Sequence, residues 1–210
     1  LTAEPLPGLP PLTGGLVGAL GWDTLYDWEP TLSREAPGEL TTPDAALCLV
    51  SDMVAVDHHE GVVWLMSNAV NADNRDAGAE AAYDAAVERL SAMAADLSTP
   101  VPLHAVKIGD APTAQPVLRT PREDFERAVD EGKEAIREGE VFQVVLSPRA
   151  DVECTADPFD VYRVLRTVNP SPYMYYLRLA DGTGGDFSVV GSSPETLIRL
   201  TAGTLTMFPI

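Results

Sequence analysis

The chain has 210 residues, 45% of them apolar, enough to pack one large domain or two small ones. Its 32 acidic residues against 14 basic give a net charge of −18, which argues against nucleic acid and anionic membrane surfaces as partners, since both need Lys and Arg. An anionic substrate would meet a repulsive field, so its positive contacts must be local. Arg149, Arg178 and Arg199 are candidates, with surface solvation the plainer role for each.

Two cysteines, Cys48 and Cys154, read as reduced thiols of a cytosolic protein rather than as a disulfide framework. No basic region followed by an apolar run opens the chain, and no stretch reaches the roughly 20 apolar residues of a membrane span. Leu1 is not an initiator Met, and the chain stops within the apolar run Leu205-Thr206-Met207-Phe208-Pro209-Ile210. Both ends therefore read as cut from a longer protein.

Gly14 to Asp23 is Gly-rich and apolar, but no Gly-Lys-Ser/Thr follows and the spacing is not that of a dinucleotide loop. Glycines in such a run point to a bulge or a close backbone approach. Residues 24–44 read as a surface loop. Ala45 to Val56 and Gly61 to Val70 read as a hairpin turning at His58-His59-Glu60-Gly61. Adjacent histidines on strands face opposite ways, and His104 is the one other His, so a metal centre is not expected there. Ala79 to Leu97 reads as a helix with a stripe of Tyr83, Val87, Leu90 and Leu97. Residues 98–118 are rich in Pro, Thr and Ala and mark a boundary, giving parts 1–118 and 119–210.

Thr120-Pro121-Arg122-Glu123 reads as a capping box with Pro at the first helical position. The helix shows an apolar face of Phe125, Ala128, Val129, Ala135 and Ile136 and closes at Gly139. Val141 to Leu146 reads as a strand with Gln143 among valines, either a core amide or a group aimed at a ligand. Asp157-Pro158 starts another helix. Asn169-Pro170-Ser171-Pro172-Tyr173-Met174-Tyr175-Tyr176 then forms a proline-stiffened bend into a strand. Asp181 to Gly185 turns that strand into Phe187 to Val190. Gly191-Ser192-Ser193-Pro194-Glu195 follows, and Thr196 to Leu200 with Thr204 to Phe208 reads as a last hairpin about Ala202-Gly203. Helices mixed with antiparallel hairpins predict an α+β fold with mixed, mostly antiparallel sheets.

Four of these blocks resemble the chorismate-utilising enzymes, most closely the large subunits (component I) of anthranilate synthases. They are Glu140 to Ser147, Asp157 to Arg163, Asn169 to Tyr176 and Gly191 to Glu195. Gly14-Gly15-Leu16-Val17-Gly18 with Trp22-Asp23 resembles an earlier block of the same subunits, while Pro148 departs from the usual Gln. The resemblance implies conversion of chorismate and ammonia to anthranilate and pyruvate in tryptophan biosynthesis. It also implies Mg²⁺, cytoplasmic location and a glutamine amidotransferase partner (component II).

The resemblance implies that Glu195 is the general acid for the departing C4 hydroxyl; the residues before it place the apolar Val189 and Val190 nearby in sequence. Gln143 stands where water-adding relatives carry a Lys, so a neutral amide there fits ammonia as the nucleophile. Pro172, Tyr173 and Met174, with Asn169 in support, resemble part of a feedback pocket for tryptophan. The family's substrate loop, catalytic His and metal carboxylates are expected beyond Ile210, so no metal ligand is assigned here and this chain alone is expected to be inactive. The alternatives are an aminodeoxychorismate synthase component I of the folate pathway, and a non-catalytic tryptophan-binding or partner-docking module.

Overall fold

The computed structural model describes residues 6–33, 40–72, 75–102, 104–106, 109 and 114–207. The chain divides into two compact units: Leu1–Ala105 with Tyr162–Ile210, and Val106–Val161. Among the described residues every strand pairing is antiparallel and the helices lie between hairpins in sequence, so the fold is α+β as expected.

In the first unit β1 (Gly15–Leu20) leads through a 3₁₀ turn, Trp22–Thr24, into the short helix α1 (Leu25–Trp28). The polar stretch expected from residue 24 thus opens with helical turns. β2 (Ala45–Val50) pairs with β1, setting Gly18 opposite Leu47. A Cβ on Gly18 would collide with the Ala46 carbonyl oxygen, so the glycine serves a close backbone approach.

The apolar run 45–56 is two strands rather than one. β3 (Asp52–Asp57) begins after a break at Ser51 and pairs with β4 (Val62–Ser67). The break is stabilised by Asn68, whose backbone N–H donates to the Ser51 carbonyl at 2.8 Å and whose Nδ2 donates to it at 3.0 Å. The same Nδ2 donates to the Thr13 carbonyl at 2.8 Å, tying the chain before β1 to the end of β4. At the β3–β4 turn Asp57 Oδ1 accepts from the N–H groups of His59 and Glu60.

Helix α2 (Asp76–Ser98) is longer than its sequence pattern suggested and packs on β4. The shielded face is Ala86, Arg89, Leu90 and Met93, which share one side at helical spacing. Tyr83, Val87 and Leu97 of the expected stripe remain exposed. Arg89 is the reason the face is rotated, because its guanidinium reaches β3: Nε donates to both Asp52 carboxylate oxygens at 3.0 and 3.1 Å, and Nη2 donates to the Asn68 carbonyl.

The second unit holds β5 (Val117–Leu118), α3 (Arg122–Glu138) and β6 (Ala150–Asp151), with β5 paired to β6. The capping box does not form: Pro121 is itself the N-cap with extended ψ, so Thr120 stands one residue too early, and no side chain caps the helix. The other end matches expectation. Glu140 N–H donates to the Ala135 carbonyl and Gly139 N–H to that of Ile136, a closure that satisfies the last carbonyls.

Val141–Leu146 is not a strand; the segment has no regular secondary structure and bends at Phe142. Its Phe142 is fully exposed and Val145 is 78% exposed. A strand forms only where a neighbour pairs its backbone, and Val144 instead abuts Gly132 of α3. Asp151 is gripped from two sides, by Arg149 Nε at 2.7 Å and Arg119 Nε at 2.6 Å, and these bonds, Arg149 first, lower its pKa.

Helix α4 (Pro158–Val168) begins as read, with Asp157 Oδ1 accepting from the Phe159 N–H at 2.7 Å. The chain re-enters the first unit at Tyr162. β7 (Tyr173–Ala180) and β8 (Asp186–Ser193) form the longest hairpin, and β9 (Arg199–Thr201) and β10 (Thr204–Thr206) the last. Phe208–Ile210, expected to continue that last run, lie outside the described residues. Among the described apolar side chains Met66, Ala86 and Leu179 are buried. Cys48 and Cys154 are free thiols.

Candidate functional site

The β7–β8 hairpin gathers most of the residues marked in the sequence. Asn169 N–H donates to the Leu165 carbonyl at 2.8 Å and ends α4. Pro170 and Pro172 have no N–H to continue a helix, so the chain turns out and β7 starts at Tyr173. On the other side of the fold-back, Asp181 Oδ1 accepts from the Thr183 and Gly185 N–H groups and from the Thr183 hydroxyl. These bonds, Thr183 first, lower the Asp181 pKa and set the length of the turn.

Turn length sets register. Counting outward from the turn, Tyr175 meets Gly191, Met174 meets Ser192 and Tyr173 meets Ser193. The bend and the Gly-Ser-Ser-Pro-Glu block therefore meet at one end of the ladder, the end away from the turn. Three contacts secure that end. The Ser192 hydroxyl donates to the Asn169 carbonyl at 2.8 Å. The Ser193 hydroxyl donates to the Glu195 carbonyl at 3.1 Å and accepts from its N–H at 3.5 Å. The Tyr175 ring covers the position a Cβ on Gly191 would take. Below the bend, the rings of Tyr162 on α4 and Tyr176 on β7 stand 6.3 Å apart at 43°.

Asn169, Pro172 and Tyr173 are exposed and Met174 is half-buried. Strand alternation puts Tyr173 with Tyr175 on one face and Met174 with Tyr176 on the other. A ligand touching both Tyr173 and Met174 would therefore lie across the start of β7, along its backbone edge. Glu195, two residues past β8, is exposed and not enclosed by Val189 and Val190. Gln143 belongs to the second unit, where it is exposed in the irregular segment after α3 and is no core amide.

Of the candidate positive groups, Arg149 is committed to Asp151, and Arg178 lies 3.6 Å from Asp186 on the paired strand. Arg199 opens β9 and is exposed. Among the described residues no group of three or more His, Cys, Asp or Glu could hold a metal, and no helix is long and apolar enough to cross a membrane. A cavity of about 840 Å³ lies elsewhere in the first unit, between Gly8–Leu12 and the β3–β4 hairpin, walled by Met53, Val62 and Trp64.

The sequence marks Ser192 and Ser193 only as members of the Gly191 to Glu195 block, with no role of their own, and does not show the Tyr175–Gly191 contact. The signal was present in the turn, because once its five residues are fixed the pairing of Met174 with Ser192 follows.

The family model described as chorismate binding enzyme matches residues 2–210. Anthranilate synthase component 1 of Arthrobacter globiformis is 45% identical over 215 residues, covering 100% of this chain and 40% of the relative. That of Mycolicibacterium smegmatis is 44% identical, again covering 100% and 40%. The crystal structure of anthranilate synthase component I from Streptococcus pneumoniae superposes with a TM-score of 0.76 at 26% identity, over 97% of this chain and 43% of that one. The chain thus spans about two-fifths of the length of the relatives it matches. With its blocks in order on an α+β scaffold and a family match from end to end, the chain belongs to the chorismate-binding enzymes.

Proposed function

We propose that this chain is a segment of the large subunit of an anthranilate synthase. That subunit converts chorismate and ammonia to anthranilate, pyruvate and water in the cytoplasm, and tryptophan inhibits it. A glutamine amidotransferase subunit supplies the ammonia. The observation that carries the reading is the register of the β7–β8 hairpin, which sets the Pro172-Tyr173-Met174 bend beside the segment that ends in Glu195.

Ammonia adds at ring C2 as the C4 hydroxyl leaves, and a hydroxyl leaves as water only with a proton. Glu195 supplies that proton. Its main chain is held by Ser193, so the carboxyl projects from a fixed turn. Gln143 is neutral at every working pH and cannot activate water as a base. Ammonia needs no such activation. The enolpyruvyl group then leaves as pyruvate.

Magnesium belongs to this proposal as a requirement of the whole enzyme. The described residues here do not assemble a site for it, so no step is assigned to it. Tryptophan is read as lying across the start of β7, its indole against the Met174 thioether or the Tyr173 ring.

The test is product analysis of the full-length subunit with chorismate and ammonium salt. Anthranilate and pyruvate are expected in equal amounts. An aminated product that keeps its enolpyruvyl group, with no pyruvate released, would assign the chain to the aminodeoxychorismate branch instead.

A further inference from the structure

Pro170 and Pro172 have no N–H to donate, so those two residues of the bend can be tied to their neighbours only through carbonyls. The Asn169 carbonyl, at the end of α4, has its donor on a different strand: the Ser192 hydroxyl, at 2.8 Å and 23 residues along the chain. The next residue, Ser193, holds the Glu195 main chain through its own hydroxyl. A single peptide therefore separates a bond to the bend from a bond to the proposed acid. Slippage between the strands is opposed by the Tyr175 ring lying over Gly191.

We propose that Ser192 is a positioning residue that couples the bend to Glu195. Its hydroxyl makes the Asn169–Tyr173 bend and the Ser192–Glu195 segment shift together. A ligand seated across the start of β7 then displaces the acid without touching it. The proposal rests on the reading of the bend as the tryptophan site and of Glu195 as the acid. It adds the residue through which one acts on the other.

The test uses the full-length subunit with chorismate and ammonia, titrated with tryptophan. Ser192→Ala is expected to keep kcat and KM within about threefold of the parent while raising the half-inhibitory tryptophan concentration about tenfold or more. Ser192→Thr, which keeps a hydroxyl, is expected to retain inhibition. Ser192→Val has nearly the same shape without the hydroxyl and is expected to lose it, so the Thr and Val pair decides even if the Ala variant folds poorly. Calorimetry without chorismate is expected to show tryptophan still binding Ser192→Val within about threefold of the parent, since coupling and binding are separate quantities.

Met174→Thr serves as the control for the underlying reading. If it raises the half-inhibitory concentration while Ser192→Ala and Ser192→Val leave it unchanged, the bend is the effector site and the coupling role of Ser192 is overturned. If the parent enzyme is not inhibited by tryptophan at all, both fall. Loss of tryptophan binding in Ser192→Val equal to its loss of inhibition would make Ser192 a binding contact and overturn the coupling role.

Discussion

Asp52 accepts hydrogen bonds from the Ser67 hydroxyl, the Arg89 guanidinium and the Ser51 hydroxyl, so one carboxylate joins β3, β4 and α2. These bonds, Ser67 foremost, hold its pKa below the ordinary 3.8. Its side chain is 33% exposed and that of Arg89 40%, so solvent screens the pair. Replacement Asp52→Ala in the full-length subunit is expected to cost about 1–2 kcal/mol, read by urea unfolding near neutral pH. The folded pKa lies below the unfolded one, so this contribution is complete above the unfolded value and is lost as pH falls through the folded value. The gap between parent and Asp52→Asn should therefore close on acidification below about pH 4; a gap independent of pH would contradict this. Gln143 supports a different prediction. Gln143→Lys introduces a base able to activate water, and amination is expected to fall at least tenfold, with hydroxylated isomer appearing in the product mixture. Unchanged anthranilate output would remove Gln143 from the account.

At the scale of the element, the β7–β8 hairpin was legible because its turn and its strands agree. Asp181 to Gly185 is a polar, Gly-rich turn, and both flanks are apolar and rich in Val, Leu and Tyr. Its register was not read, since nothing in the residues of the bend alone says that Met174 meets Ser192. The segment Val141–Leu146 failed in the opposite way. Its composition is that of a strand, but a strand is a property of a pair, and no described residue pairs with it. The packed face of α2 differs from its apolar stripe because a polar residue, Arg89, lies on the packed side and an aromatic one, Tyr83, on the exposed side. The Tyr175–Gly191 contact gives a test of the hairpin itself. Gly191→Ala should cost about 1–3 kcal/mol by forcing the ring aside, and Tyr175→Ala in the same chain should recover part of that loss. Strict additivity of the two changes in denaturant unfolding would show that they do not touch.

For the molecule as a whole, the match to relatives at 45% and 44% identity covers this entire chain but only 40% of theirs. The described apolar side chains are largely uncovered; Leu197 is 89% exposed just after Glu195. The chain alone is therefore expected to leave chorismate unchanged, which chromatography of a reaction with ammonia would check. An active 210-residue chain would mean that the chemistry needs far less of the subunit than proposed. The central claim is that one hairpin carries the effector contacts at the start of β7 and the proton donor just past the end of β8. The most direct measurement is anthranilate formation by the full-length subunit carrying Glu195→Gln or Met174→Thr, each with and without tryptophan. Glu195→Gln is expected to lower kcat about 100-fold or more while tryptophan still binds, and Met174→Thr to keep kcat while losing inhibition. A Glu195→Gln enzyme that retains its kcat, or a Met174→Thr enzyme inhibited like its parent, would contradict the central claim.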